Sequence, residues 1–259
     1  MSNVVLVEQR DRVAWLTLHR PGVGNALSRA LIDRLRAELT RLRALPELVA
    51  LVLTGAGEKT FCAGADLKER SGFSLEQTRE HLVVQSALMD EIEAFPRPTL
   101  AAINGTAVGG GLELALACDL RIAVADAALA LPEVRLGIIP AAGGTQRLAR
   151  LCGLARAKEM ILTGRRMDAA AAKDMGLLST VVPASQLRTE VDRWLGELAL
   201  GGPLALAQAK QAMDGGWGKP LDEALAWERH CYDVVLQSED RNEGLRAFAE
   251  KRKPEFKGR

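Results

Sequence analysis

The spacing of apolar positions changes period along the chain, and each change predicts an element. Val4–Val7 and Val13–Leu18 have the length and composition of short strands, joined by the polar turn Gln9-Arg10-Asp11. Leu27, Leu31, Leu35, Leu39 and Leu42 then recur at helical spacing, with Ser28 placed to cap that helix. Val49–Thr54 is a short apolar run ending in Gly55-Ala56-Gly57, as expected of a buried strand that feeds a loop. A long helix is predicted over Leu75–Ala94, closed by Pro96 and Pro98, and Thr99–Ile103 is another buried strand. A Gly-rich turn, a helix over Leu112–Cys118, strands at Leu120–Ala125 and Ala128–Leu131, a turn and a further helix follow. Strands alternating with helices imply an α/β fold with right-handed crossovers. From Pro203 the pattern is helical only, over Leu204–Met213, Leu221–Gln237 and Asp240–Lys251, and the basic tail Lys251–Arg259 is expected to be exposed. The change near Gly201-Gly202 divides the chain into an α/β core (1–200) and a helical C-terminal lobe (201–259).

Composition narrows the function classes. With 259 residues, 48% hydrophobic and 26% charged, the chain has the balance of a globular protein with a sizeable core. Lys plus Arg is 34 against 33 for Asp plus Glu, a formal charge of +1, which argues against a dedicated nucleic-acid surface. Aromatic residues, at 4%, are too few for base-stacking platforms. Cys62, Cys118, Cys152 and Cys231 are scattered, with no Cys-x-x-Cys pair, which fits a reducing compartment and offers no zinc knuckle. His19, His81 and His230 lie in separate segments without metal-ligand spacing, so no metal is expected. The first ten residues lack the pattern of a secretory signal, and no apolar stretch reaches the roughly 18 residues of a membrane span. A cytoplasmic protein without a membrane partner is the expectation. Dinucleotide-binding, P-loop and Gly-x-Ser-x-Gly motifs do not occur.

The chemistry concentrates in three segments. In Ile103-Asn104-Gly105-Thr106-Ala107-Val108-Gly109-Gly110-Gly111-Leu112-Glu113, three consecutive glycines lead into an apolar helix. Each costs about 0.5–1 kcal/mol relative to Ala in a helical turn. Two causes can offset that cost: close packing of the helix start on a strand, or access of a ligand to backbone N–H groups at the positive end of the helix. Glu113, one turn beyond Gly110, lies either on a solvated stripe or against a cleft. The second segment places Glu133 after Pro132 at the end of a strand-like run, followed by Gly143-Gly144 leading into another helix. Alone, Glu133 is an ordinary turn charge. In the third, Phe61-Cys62-Ala63-Gly64-Ala65-Asp66-Leu67-Lys68-Glu69, Asp66 has the position of a helix cap beside an exposed backbone.

In this order and spacing, these segments resemble the crotonase (enoyl-CoA hydratase/isomerase) family. The likeness runs from about Val4 to Gly258 and includes Gly143–Leu148 and the tail Glu243–Arg252. The resemblance implies a spiral of repeated β-β-α units with a helical lobe that builds trimers or hexamers. It implies a hydro-lyase that hydrates an enoyl-CoA, with coenzyme A as part of the substrate and no separate cofactor. The thioester oxygen would sit between the backbone N–H groups of Ala65 and Gly110. Glu113 would activate water and Glu133 would protonate Cα, as a coupled pair. Ala63, Asp66, Leu67, Lys68, Gly109, Pro140 and Ala141 would lie along the acyl-CoA path, with Lys68 near the phosphates and Lys251 approaching from a neighbouring subunit.

Three positions depart from the family pattern. Ala141 and Ala130 replace common glycines, with strain expected at Ala141 if it needs φ > 0, and Leu131 replaces a polar residue. These changes are expected to narrow the acyl side. A methylglutaconyl-CoA hydratase of leucine degradation, resembled most in the Phe61–Arg70 run and the tail, and an enoyl-CoA isomerase are alternatives within the family. The carboxylated acyl group of the former asks for a cation in the pocket, and no residue is assigned to that role from sequence. From another class, an RNA-binding homologue would use Arg29, Arg34, Arg36, Arg41 and Arg43, although Asp33 and Glu38 dilute that charge and a solvated helix face is the plainer reading.

Overall fold

A computed structural model describes residues 3–259. Strands β1 (Val5–Arg10) and β2 (Val13–Leu18) form an antiparallel hairpin in which Val5 faces Leu18. Ser28 caps helix α1 (Arg29–Arg43) by accepting from the Leu31 amide at 3.3 Å. The chain then climbs as a spiral whose turns each place one strand in a large sheet and the next in a small one. The first turn is β3 (Ala50–Gly55) and β4 (Thr60–Cys62), followed by the short helix α2 (Leu67–Arg70) and the long helix α3 (Leu75–Glu93). The second is β5 (Thr99–Ile103), β6 (Thr106–Val108) and α4 (Gly110–Leu116). The third is β7 (Leu120–Val124), β8 (Ala128–Ala130) and α5 (Gly144–Cys152). Helix α6 (Leu154–Thr163), β9 (Met167–Asp168), α7 (Ala169–Asp174), β10 (Thr180–Val182) and α8 (Leu187–Leu198) complete the core.

The large sheet has the order β1-β2-β3-β5-β7-β10, parallel after the first pair, and the small sheet the order β4-β6-β8-β9. This is the α/β spiral of β-β-α turns expected from sequence. Leu51, Leu53, Leu100 and Ile122 on the central strands are fully buried, which explains why those strands read as continuous apolar runs. Strands β4 and β6 are three residues each and sit in segments rich in Gly and polar residues. Periodicity has nothing to detect over that length, and these segments read as turns. Helix α4 begins two residues earlier than its apolar run, because Gly110 and Gly111 are helical.

Two asparagines fasten the loop between β3 and β4. Asn25 is fully buried in a left-handed conformation (φ 55°); its Oδ1 accepts from the Arg20 amide at 3.0 Å and its Nδ2 donates to the carbonyls of Ala56 (2.9 Å) and Thr60 (2.8 Å). Asn104 Nδ2 donates to Gly55 O (2.9 Å) and Gly57 O (2.7 Å), and its Oδ1 accepts from the Gly55 amide at 3.0 Å. Both hold the strand end from which Ala63, Gly64 and Ala65 emerge.

After Gly202 the chain is helical: α9 (Pro203–Gly216), α10 (Leu221–Leu236) and α11 (Glu239–Ala249). The buried Lys210 ammonium ties α9 to the core by an ion pair with Asp119 at 2.8 Å. The tail is not simply loose. Its side chains are mostly exposed, yet Lys257 N and Gly258 N donate to the Asp240 carboxylate at 2.6 and 2.8 Å, and Asp240 N donates to Arg259 O at 3.1 Å. Four of the five α1 arginines are ion-paired: Arg29 to Asp33, Arg34 and Arg41 to Glu38, and Arg36 to Glu91. Among the described residues no helix is long and apolar enough to cross a membrane.

Asn25→Ala removes three hydrogen bonds of a buried side chain and places alanine at positive φ. It is expected to lower stability by about 2–4 kcal/mol, read as a shift in urea midpoint at unchanged m.

Candidate active site

The start of α4 is shaped by contacts that only glycine permits. Gly109 precedes the helix with φ 55° and ψ −129°, and Gly64 on the facing segment has φ 92°. A Cβ on Gly111 would collide with the Cys62 carbonyl, and one on Gly64 would lie 2.7 Å from Val108 O. The close-packing explanation of the glycine run is therefore correct, and the access explanation does not compete with it. Packing brings the segment from Cys62 to Ala65 against the helix start: the Gly64 Cβ position is 3.3 Å from Gly110 N, and the Gly110 Cβ position is 3.7 Å from Ala65 N. Leu27 N donates to Gly64 O (2.8 Å) and Leu27 O accepts from Asp66 N (3.2 Å), a parallel bridge that directs the intervening Ala65 amide away from Leu27. Gly110 N, first in its helix, has no intrahelical acceptor. Neither amide donates to an acceptor among the described residues, and both residues line one cleft of about 630 Å³.

Two carboxylates line the same cleft. Glu113 is 2% exposed, so the solvated-stripe alternative fails. Its Oε1 accepts from the amides of Ala142 (2.8 Å) and Gly144 (2.9 Å). Gly144 must be glycine here, since a Cβ would lie 2.9 Å from that oxygen and 3.0 Å from Pro140 Cβ. Arg147 pins this loop to α3, donating to Ala142 O (3.1 Å), Asp90 (2.9 Å) and Glu93 (2.6 Å). Burial pushes the Glu113 carboxyl above the usual carboxylate range, while the two amides and the Arg147 charge pull it partly back.

Glu133 has a different environment. It opens a single 3₁₀ turn (Glu133–Leu136) after Pro132, is 9% exposed, and packs over the bare Cα of Gly109. Its Oε2 has no partner among the described residues. Burial pushes its carboxyl up to about 7; the Glu113 charge adds to the rise, and its own backbone amide opposes it. One carboxylate held by amides and one poised near neutrality, in a single cleft, are the parts of a general base and a general acid.

The remaining sequence-designated residues separate into two sets. Ala63, Leu67, Gly109 and Ala141 line the cleft. Asp66, Lys68, Pro140 and Lys251 are not among its lining residues. The Asp66 carboxylate caps α2 through Glu69 N (3.1 Å) and pairs with Arg20 at 2.9 Å. Pro140 is buried against Gly144, Lys68 is exposed, and Lys251 follows α11 at the far end of the chain. Ala141 does not adopt positive φ, so the strain considered at that position is absent. Ala130 and Leu131 are fully buried around the end of β8 and do not line the cleft, so they do not narrow it by direct contact. Sequence reasoning missed Arg70, Gln85 and Arg147. Gln85 lies in the unremarkable run Leu82-Val83-Val84-Gln85, and only the packing of α3 onto Gly110 brings it to the cleft. Among the described residues no group of three or more His, Cys, Asp or Glu could hold a metal ion.

Comparison with known proteins finds one family over most of the chain. The family model described as enoyl-CoA hydratase/isomerase matches residues 8–259. The chain is 43% identical over 257 residues to a putative enoyl-CoA hydratase/isomerase, YngF, of Bacillus subtilis, covering 99% of both chains. It is 37% identical to the short-chain-enoyl-CoA hydratase of Clostridium acetobutylicum, again over 99% of each. The crystal structure of an enoyl-CoA hydratase from Bacillus anthracis superposes with a TM-score of 0.97 at 46% identity, covering 99% of this chain and 100% of that one.

The raised Glu133 carboxyl couples stability to pH. Between about 4.5 and about 7 the folded state holds a proton that the unfolded state releases, so stability falls as pH rises through this window. Glu133→Gln removes that loss. The variant is expected to be more stable than the parent at pH 8, by on the order of 2–3 kcal/mol, with the gain shrinking toward pH 4.5 in denaturant titrations.

Proposed function

The chain belongs to the enoyl-CoA hydratase/isomerase family, and on that premise we propose that its cleft adds water across the 2,3 double bond of an enoyl-CoA thioester. The observation that carries this reading is the convergence of two unlike glutamates and two free amides on one cleft. The thioester oxygen takes the Ala65 and Gly110 N–H groups. Glu113, whose Oε1 is occupied by amides, uses Oε2 to accept a proton from water as the water oxygen bonds to Cβ. The π electrons move toward Cα, and the negative charge spreads onto the thioester oxygen, where preorganised donors stabilise it. Glu133, protonated over much of the range below about 7, gives its proton to Cα. A proton then passes from Glu113 to Glu133 through cleft water and restores the pair. Isomerisation needs only one such acid-base group, so the second carboxyl favours hydration.

Coenzyme A arrives as part of the substrate, and no step requires a separate cofactor. Ala63 and Leu67 face the cleft where its adenine end would lie, with Lys68 near the phosphates and Lys251 contributed by a neighbouring subunit. The exposed Met213, Leu221, Tyr232 and Phe248 on the C-terminal helices, with Trp217 just after α9, support assembly into a homotrimer or hexamer. Light scattering on the purified protein checks this; a monomer at micromolar concentration contradicts it.

Crotonyl-CoA hydration, followed by loss of enoyl absorbance, is expected to fall about 10²–10⁴-fold in Glu113→Gln and in Glu133→Gln. In the parent, kcat/KM is expected to decline as pH rises through about 7, where Glu133 loses its proton. Retention of full activity by both variants rejects the two-acid mechanism.

A further inference from the structure

Arg147 is not among the residues that line the catalytic cleft. It lines instead a second cavity of about 530 Å³, together with Glu93 and, from α9, Lys210 and Asp214. From the first turn of α5 its guanidinium folds back over the helix start, Gly143, which has φ 97° and on which a Cβ would collide with it. Nη1 donates to Ala142 O at 3.1 Å, and Nη2 to Asp90 (2.9 Å) and Glu93 (2.6 Å) on α3. Nε is buried without a partner among the described residues, so these bonds are what orient the guanidinium.

The peptide that Arg147 holds by its carbonyl joins Ala142 to Gly143. It lies between the two amides, of Ala142 and Gly144, that donate to Glu113 Oε1. A peptide is planar, so a turn of this one would swing the flanking amides off the carboxylate. With both amides in place Oε1 is fixed, and Oε2 is the oxygen left for water. The groups that oppose burial at Glu113 are the Gly144 amide, the Ala142 amide and the Arg147 charge, and the last secures the other two. The charged groups facing this carboxyl are Arg147 and, in the cleft, Glu133; those facing Arg147 are Asp90 and Glu93. We propose that Arg147 is a positioning residue for the hydration step, holding the Ala142–Gly144 loop in the arrangement that presents Glu113 Oε2 to the attacking water without itself touching the substrate. This deepens the hydratase reading and rests on it for the identity of the water's target.

Crotonyl-CoA hydration is measured across pH in the parent, Arg147→Met and Arg147→Lys. Methionine keeps much of the aliphatic stem and loses the charge and the donors. Lysine keeps the charge, but a single ammonium cannot span Ala142 O and the α3 acids as the planar fork does. In Arg147→Met, kcat is expected to fall about 10- to 100-fold at pH 7 with KM changed by less than about twofold, since the residue acts on the base and not on binding. Glu113 must be ionised to accept a proton, and loss of Arg147 favours its neutral form, so the acid limb of kcat moves to higher pH. Arg147→Lys is expected to lie between the parent and Arg147→Met in both readouts. The infrared carbonyl band of protonated Glu113, assigned by its loss in Glu113→Gln, should titrate at higher pH in Arg147→Met than in the parent, with no substrate present. Absence of turnover in the parent therefore rejects the hydratase reading, while an unmoved band rejects the role of Arg147. An unchanged acid limb in Arg147→Met, or a loss carried wholly by KM, also overturns the proposal. If Arg147→Met does not fold, Arg147→Lys decides: kcat, acid limb and band all equal to the parent's overturn it.

Discussion

The approach of the Cys62–Ala65 segment to the first turn of α4 is the constraint on which the site depends. Backbone meets backbone there because Gly64, Gly110 and Gly111 carry no side chains, and a Cβ on Gly111 would have to displace the Cys62 carbonyl. The contact leaves two amides without internal acceptors, facing one cleft. Strand β4 supplies one side and β6 the other, and Asn25 and Asn104 hold the loop between β3 and β4 with side-chain hydrogen bonds. Because these donors belong to the main chain, their placement depends on the fold and not on any one side chain.

The backbone also gives the two glutamates different environments. Both are buried, and burial alone would push both toward the neutral form. The loop after Pro140 turns two amides onto Glu113, while Glu133 is left with an oxygen that nothing satisfies. Identical side chains thus acquire different proton affinities from the backbone around them. Arg147, bound to Asp90 and Glu93 on α3, keeps that loop in place and adds a positive field near Glu113. Gln85 Oε1, buried in the same cleft, is likewise without a partner among the described residues.

Much of this was legible in the order of residues. The leucine series of α1, the apolar runs of β3 and β5 and the cap at Ser28 are local matters of period and capping, and they appear where the pattern puts them. The β-β-α spiral and the two glutamates followed from a family likeness carried by glycine spacing and Pro132-Glu133. What the pattern hid were elements too short for a period, such as β4 and β6, and residues whose importance lies in what they touch. Gln85 is an ordinary polar residue on α3 until the helix packs on Gly110. Asp66 and Lys68, which adjoin the site in sequence, do not line the cleft, because the first is turned to cap α2 and the second to solvent.

The chain by itself therefore determined where strands and helices form, which glycines permit close approach, and which acids are candidates for chemistry. Only the tertiary structure decided which amides are free among the described residues and which carboxyl keeps its proton near neutrality. The reason is physical: helix period, turn and cap signals act between neighbours in the chain, whereas desolvation, hydrogen-bond satisfaction and charge pairing depend on atoms brought together from distant segments.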